Sequence, residues 1–160
     1  MIPNFFMMVG LPGSGKSSFI KTLMIQDRLS VHSSDELRVE MFGDIDEQTK
    51  NHLLFKELHK RIINDLKAGK HTLFDATNIN KKQRKRFLNL ISSIDCKTIC
   101  VFMNTDIGEC KRRNQLRERK VPDHVIMRMA DQLQIPDYHE DWDSIYFVEN
   151  KGEEPCIRHI

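Results

Sequence analysis

The segment Gly10-Leu11-Pro12-Gly13-Ser14-Gly15-Lys16-Ser17 fits G-x-x-x-x-G-K-[ST] at every fixed position. Glycines in such a loop let successive backbone N–H groups close around a phosphate, and the helix that follows turns its positive dipole end toward the same charge. Lys16 is placed to bridge the β- and γ-phosphates of ATP, and the Ser17 hydroxyl to ligate Mg²⁺. Pro12, Ser14 and Ser18 complete the expected nucleotide-binding set. The alternative is a glycine-rich turn that merely caps a helix. A predicted strand before the loop and a predicted helix after it satisfy both halves of the context the phosphate loop requires.

Ser33-Ser34-Asp35-Glu36-Leu37-Arg38 follows a second predicted strand and should reach the same edge as the loop. A carboxylate there can take the proton of an attacking hydroxyl, and Arg38, three residues on, shares its helix face. The simpler alternative has Asp35 complementing the helix dipole. Leu73-Phe74-Asp75-Ala76-Thr77-Asn78 ends a third strand on an acid able to reach either the Mg²⁺ shell or a substrate hydroxyl. Thr77 and Asn78 add hydrogen-bonding groups at the strand's mouth, with turn chemistry an equal reading for Asn78. Arg113 and Arg117, four residues apart, point the same way on a helix. A basic helix closing over ATP would supply the charge phosphoryl transfer needs at its transition state. For Lys111, Arg112, Arg119 and Lys120 a solvent-facing stripe is expected.

These groups need a scaffold that brings strand ends together. Asn4 to Val9 reads as a buried parallel strand, followed by a helix from Lys16 to about Gln26 with Phe19, Ile20, Leu23 and Met24 facing the core. Leu29 to Ser33 is a second strand, and Ser33 with Glu36 has the form of a capping box. A helix from about Glu47 to Ala68 turns Leu53, Leu54, Leu58, Ile62 and Leu66 inward and stops at Gly69. His71 to Asp75 and Lys97 to Met103 are further strands, flanking a helix capped by Asn80 that carries Phe87, Leu90, Ile91 and Ile94. A basic helix from about Ile107 to Glu118, a helix opening at Pro122 and a strand near Ser144 to Val148 end the pattern. Alternation of this kind implies an α/β fold, a parallel sheet with helices on both faces. Trp142 is expected to be a packing anchor.

Composition narrows the class. The 160 residues are 39% hydrophobic and 30% charged, ordinary for a folded globular chain. The expectation is one domain spanning 1–160, with a lid at about 107–122. The longest apolar run, Phe5 to Val9, is far below the roughly 20 residues of a membrane span. No basic leader is read at the start, and no membrane partner is expected. Cys96, Cys100, Cys110 and Cys156 show no metal-binding spacing and suit reduced thiols in a cytoplasmic setting. His52 and His59 read as helix-surface residues. Net charge is only +2, yet 11 of the 25 basic residues fall in Lys81 to Arg86 and Lys111 to Lys120. That concentration suits a phosphate-rich ligand, while solvated helix faces are the plainer reading, favoured for Lys81 to Arg86.

Taken in order, Gly10 to Ser18, Asp35 with Arg38, Asp75-Ala76-Thr77-Asn78, and Arg113-Asn114-Gln115-Leu116-Arg117 leading to Val121-Pro122 resemble the kinase domain of the phage-type 5′-hydroxyl polynucleotide kinases. The resemblance implies a three-layer P-loop kinase fold with a five-stranded parallel sheet and a helical lid. It implies that Asp35 is the general base, that Arg38 binds the phosphate-bearing end of the substrate, and that Arg117 faces the transferred phosphate. ATP and Mg²⁺ are the implied cofactors. The implied acceptor is the 5′-hydroxyl of a nucleic acid. Two departures stand out. The phage enzymes carry an added 3′-phosphatase domain for which this chain has no room, and Asp44-Ile45-Asp46 lacks the preceding strand that a phosphatase nucleophile pair needs. The same four-motif plan also serves small kinases acting on nucleosides, sugars, tRNA-linked serine or antibiotics, so a nucleoside or other small-molecule kinase is one rival reading. An ATP-binding regulatory module is another. Asn80-Lys81-Lys82-Gln83 lacks the aspartate of a guanine-specific switch, and a ring-forming motor would need an added helical domain.

Overall fold

Phe5, Met7 and Val9 of the first strand bury into one core cluster while Phe6 and Met8 bury into another, because the pleat sends alternate side chains to opposite faces. A strand apolar on both faces belongs in the middle of a parallel sheet covered by helices. The computed structural model places it there, describing residues 1–26, 28–150 and 155–160. The elements run β1 (Asn4–Val9), α1 (Lys16–Gln26), β2 (Ser30–Ser33), α2 (Ser34–Phe42), α3 (Asn51–Lys67), β3 (Thr72–Asp75), α4 (Lys81–Ile91), β4 (Lys97–Met103), α5 (Ile107–Gln115), α6 (Asp123–Gln132), β5 (Ser144–Asn150) and β6 (Pro155–His159), with a 3-10 turn at Tyr138–Glu140 before β5.

The sheet order is β2-β3-β1-β4-β5-β6. Its first five strands are parallel and β6 is antiparallel to β5, with Tyr146 opposite His159. Phe19 and Ile20 of α1 pack under Phe6 and Met8. On the other face, Leu54, Leu58, Ile62 and Leu66 of α3 and Phe87 and Ile91 of α4 pack against Phe5, Met7 and Phe74. A third cluster of Leu11, Cys110 and Ile126 joins the phosphate loop to α5 and α6. No helix among the described residues is long and apolar enough to cross a membrane.

Six strands stand where five were expected. The residues of β6 are exposed along the whole strand, so it lacks the apolar alternation by which a strand is read from sequence. Helix ends shift too: α3 begins at Asn51, not near Glu47, and α5 stops at Gln115, not at Glu118. Met24, Leu53 and Leu90, expected in the core, are 50%, 45% and 51% exposed. Leu53 and Leu90 each directly precede a buried residue, and a step of one residue rotates a side chain about 100° off the buried stripe. Both helices are capped: Asn80 Oδ1 accepts from the Gln83 N–H, and Ser33 Oγ accepts from the Glu36 N–H, which is one half of the capping box expected there. Trp142 packs at the margin of the larger core cluster.

Candidate functional site

β1 delivers the chain to Gly10 at the centre of the sheet edge. Gly13 (φ +78) and Gly15 (φ +98) both need the left-handed region open to glycine. A Cβ on Gly13 would sit 2.3 Å from the Cys110 carbonyl oxygen, so the loop is pressed against the lid helix as well as coiled. Thr105 Oγ1 reinforces that contact by donating to the Ser14 carbonyl at 2.8 Å. Gly13→Ala is therefore expected to lower stability by about 1–3 kcal/mol and to abolish nucleotide binding. Thermal melts with and without ATP check it: the shift that ATP gives the parent protein should vanish in the variant.

Lys16 Nζ donates to the Gly10 and Leu11 carbonyls, both at 2.9 Å. Burial lowers its pKa to about 8, against the pull of Asp75, Cys110 and Asp35. Anionic phosphates would raise it again. Below pH 8 the free protein already carries the proton; above pH 8 it must acquire one when a polyanion binds. ATP binding is thus expected to take up protons, and to weaken, as pH rises past about 8. Calorimetry in two buffers of different ionisation enthalpy measures the uptake, and its absence at pH 9 would remove Lys16 from the binding site. Ser14 Oγ, buried in the loop with no hydrogen-bond partner among the described residues, is a donor suited to a phosphate oxygen.

Ser33 pairs with Asp75 in the parallel register of β2 and β3, which brings Asp35 and Asp75 to one edge. Asp35 lies in the first turn of α2, 49% exposed, and accepts from Arg38 Nη1 at 3.1 Å. Arg38 is 5% exposed. Its Nη2 donates to Asn51 Oδ1 at 3.0 Å, and its buried Nε has no partner among the described residues. Asn51 has no motif to mark it; only its place at the start of α3 brings it here. Asp75 is half-buried, and burial first, with the charges of Asp35 and Glu36, holds its carboxyl above the usual range against the pull of Lys16.

The mouth of β3 is braced from several directions. The Thr77 carbonyl accepts from the Gly10 N–H at 3.0 Å. Asn78 takes φ 47 and donates its side-chain amide to the Met8 carbonyl at 2.8 Å. Arg84, expected on a solvated face, is instead wholly buried, paired with Glu140 at 2.6 Å and donating to the carbonyls of Asn78 and Gln134. A buried guanidinium is tolerated because each of its three nitrogens has an acceptor. In sequence it is one basic residue among five, with its partner far along the chain.

The lid also departs from expectation. Since α5 ends at Gln115, Arg117 lies in the connection beyond it, not on the helix face that carries Arg113. Buried Asn114 pins that connection by two hydrogen bonds to the Val121 backbone, at 2.6 and 3.0 Å. Arg113 is held by Glu109 at 2.9 Å. Arg119 does not face solvent with the stripe: it reaches Asp46 at 3.0 Å and Asp35 at 4.0 Å, and its buried Nε has no partner among the described residues. Arg117, Arg119, Lys120 and Val121 of the pinned connection line the cleft, a placement no helical periodicity would reveal. The cleft itself is about 1580 Å³, and the cations Arg86, Arg113, Arg117, Arg119, Lys120 and Arg128 line it together with the loop, Asp35 and Asp75.

Sheet order, phosphate loop and lid define a P-loop kinase fold. The chain belongs to the AAA domain family, whose model matches residues 5–136. It is similar to the L-seryl-tRNA(Sec) kinase of Methanococcus maripaludis, 21% identical over 147 residues that cover 85% of this chain and 54% of that protein. The chain thus spans about half the length of this curated relative. Among solved structures, a chain of the Pnkp1/Rnl/Hen1 RNA repair complex matches with a TM-score of 0.74 at 22% identity, covering 83% of this chain and 44% of that one. Chaetomium thermophilum Kti12, in complex with ADP-AlF3, matches with a TM-score of 0.72 at 15% identity over 94% of this chain and 91% of that one.

Proposed function

We propose that the protein is an ATP-dependent kinase that moves the γ-phosphoryl group to a hydroxyl acceptor, with the 5′-hydroxyl of a polynucleotide as that acceptor. The observation that carries the reading is Asp35, a half-exposed carboxylate oriented by a buried arginine at 3.1 Å on the same sheet edge as Lys16. The eight lysine and arginine side chains that line the cleft favour a polyanionic acceptor over a neutral one. Two relatives also bear names that join this fold to RNA, a tRNA-directed kinase and an RNA repair complex.

ATP supplies the transferable phosphoryl group, and Mg²⁺ offsets phosphate charge. The loop N–H groups and Ser14 hold the phosphates, and the oxygen donors Ser17 and Asp75 are of the hard type that Mg²⁺ takes. Asp35 accepts the proton of the acceptor hydroxyl as its oxygen bonds to phosphorus and the bridging bond to the leaving phosphate breaks. Lys16 follows the charge that gathers on that leaving oxygen, and Arg117 meets the transferred group from the lid side. Arg113 supports the nucleotide from the same side. Arg38 and Thr77, with Asn78 behind them, position the acceptor.

Incubation with labelled ATP and a panel of DNA and RNA oligonucleotides with free 5′-hydroxyls, nucleosides and sugars tests the reading. Label should enter the oligonucleotides, with affinity for them falling steeply as salt rises. Label entering only nucleosides or sugars would replace the acceptor. Tight ATP binding with no acceptor above slow hydrolysis would indicate a regulatory module. Arg117→Ala is expected to lower kcat by roughly 10-fold to 10³-fold with little change in ATP affinity. Weaker ATP binding at unchanged kcat would make Arg117 a ground-state contact.

A further inference from the structure

Between α3 and α4 the wall of the cleft is built of rings. The His59 imidazole lies 4.7 Å from the Phe87 ring, 5.7 Å from Phe74 and 6.2 Å from Phe55, centroid to centroid. Phe74 and Phe87 are core residues, yet both still line the cleft. Phe55 and His59 are half-buried, and Leu90 stands exposed at the lip. His59 was expected on a helix surface; it is a ring among rings. Its nitrogens make no hydrogen bond among the described residues. Burial lowers its pKa, so at neutral pH one ring nitrogen donates and the other accepts.

This wall belongs to the same cleft as Asp35, with Arg38 and Arg86 along it. An acceptor presenting its hydroxyl to Asp35 would occupy the cleft that the rings line. A sugar or a small polar molecule would leave apolar surface wet and His59 unpaired. A flat heteroaromatic ring with donors and acceptors on its edge would satisfy both, while the two arginines suit the phosphates flanking such a ring. We propose that the wall receives the terminal nucleobase of the acceptor, His59 bonding to its edge while Phe55 and Leu90 cover its face. This rests on the kinase reading above and makes the acceptor one whose first nucleoside is recognised by its base.

The test uses two 5′-hydroxyl oligonucleotides that differ only in whether the terminal sugar carries a base. For the parent protein, kcat/KM is expected to be about 10-fold or more higher for the base-bearing one. His59→Phe keeps the ring packing and removes both nitrogens, and Leu90→Ala alters an exposed side chain. In each, the ratio between the two oligonucleotides should fall toward about one, with the KM for ATP unchanged. Equal kcat/KM for both by the parent protein, or a ratio unmoved by either variant, overturns the pocket and leaves the kinase reading standing. Should neither oligonucleotide take up phosphate, the polynucleotide reading fails separately. Titration of adenosine against the ¹⁵N resonances of the His59 imidazole then decides the pocket, which stands if they shift and falls if they do not.

Discussion

Asp35→Asn is expected to lower kcat by about 10² to 10⁴ while ATP affinity stays nearly intact. The substitution preserves shape, and its amide oxygen can still accept from Arg38 Nη1, now 3.1 Å from the carboxylate. What is lost is the negative charge, and with it the capacity to take a proton. Arg38 keeps Asn51 as a partner in either case, so the buried guanidinium is not stranded and the start of α2 should hold. Single-turnover phosphorylation of a 5′-hydroxyl oligonucleotide, with nucleotide affinity measured alongside, separates the steps. A variant with full turnover would reduce Asp35 to a dipole-complementing residue; one that lost ATP binding instead would place it in the nucleotide site.

The second large effect concerns stability. Glu140→Ala leaves Arg84 charged in a fully buried position, where the pair now sits at 2.6 Å with neither side chain exposed. Removing one member of a buried pair costs about 3–5 kcal/mol, because the remaining charge is desolvated without compensation. The guanidinium would keep the Asn78 and Gln134 carbonyls, which favours the lower end of that range. Urea unfolding measures the loss, and replacing both residues with methionine should recover much of it. A loss below about 1 kcal/mol would mean that water reaches Arg84 in the variant.

The elements of the candidate site that could be read in the sequence are those whose chemistry is local. The phosphate loop, Asp35 with Arg38, and Asp75 at the end of a strand each declare themselves within a few residues, and strand–helix alternation then brings their positions to one edge. What escaped depends on distant partners or irregular backbone. Asn51 meets Arg38 across 13 positions, and Arg84 meets Glu140 across 56. Arg117 and Arg119 owe their placement to a connection pinned by Asn114, where helical spacing has no authority. β6 was invisible for a different reason, since an exposed edge strand buries too little to leave an apolar pattern.

The strand order divides the labour of the cleft between two stretches of chain. Everything on the β2-β3 side of β1, including Asp35, Arg38, Thr77 and the ring wall, comes from residues 30–91, whereas the lid arginines enter after β4, on its opposite flank. The central strand and its loop belong to neither half. On the kinase reading, a change of acceptor written into residues 30–91 would have to keep Arg84 for Glu140, Asp46 for Arg119 and the Thr77 carbonyl for the Gly10 N–H.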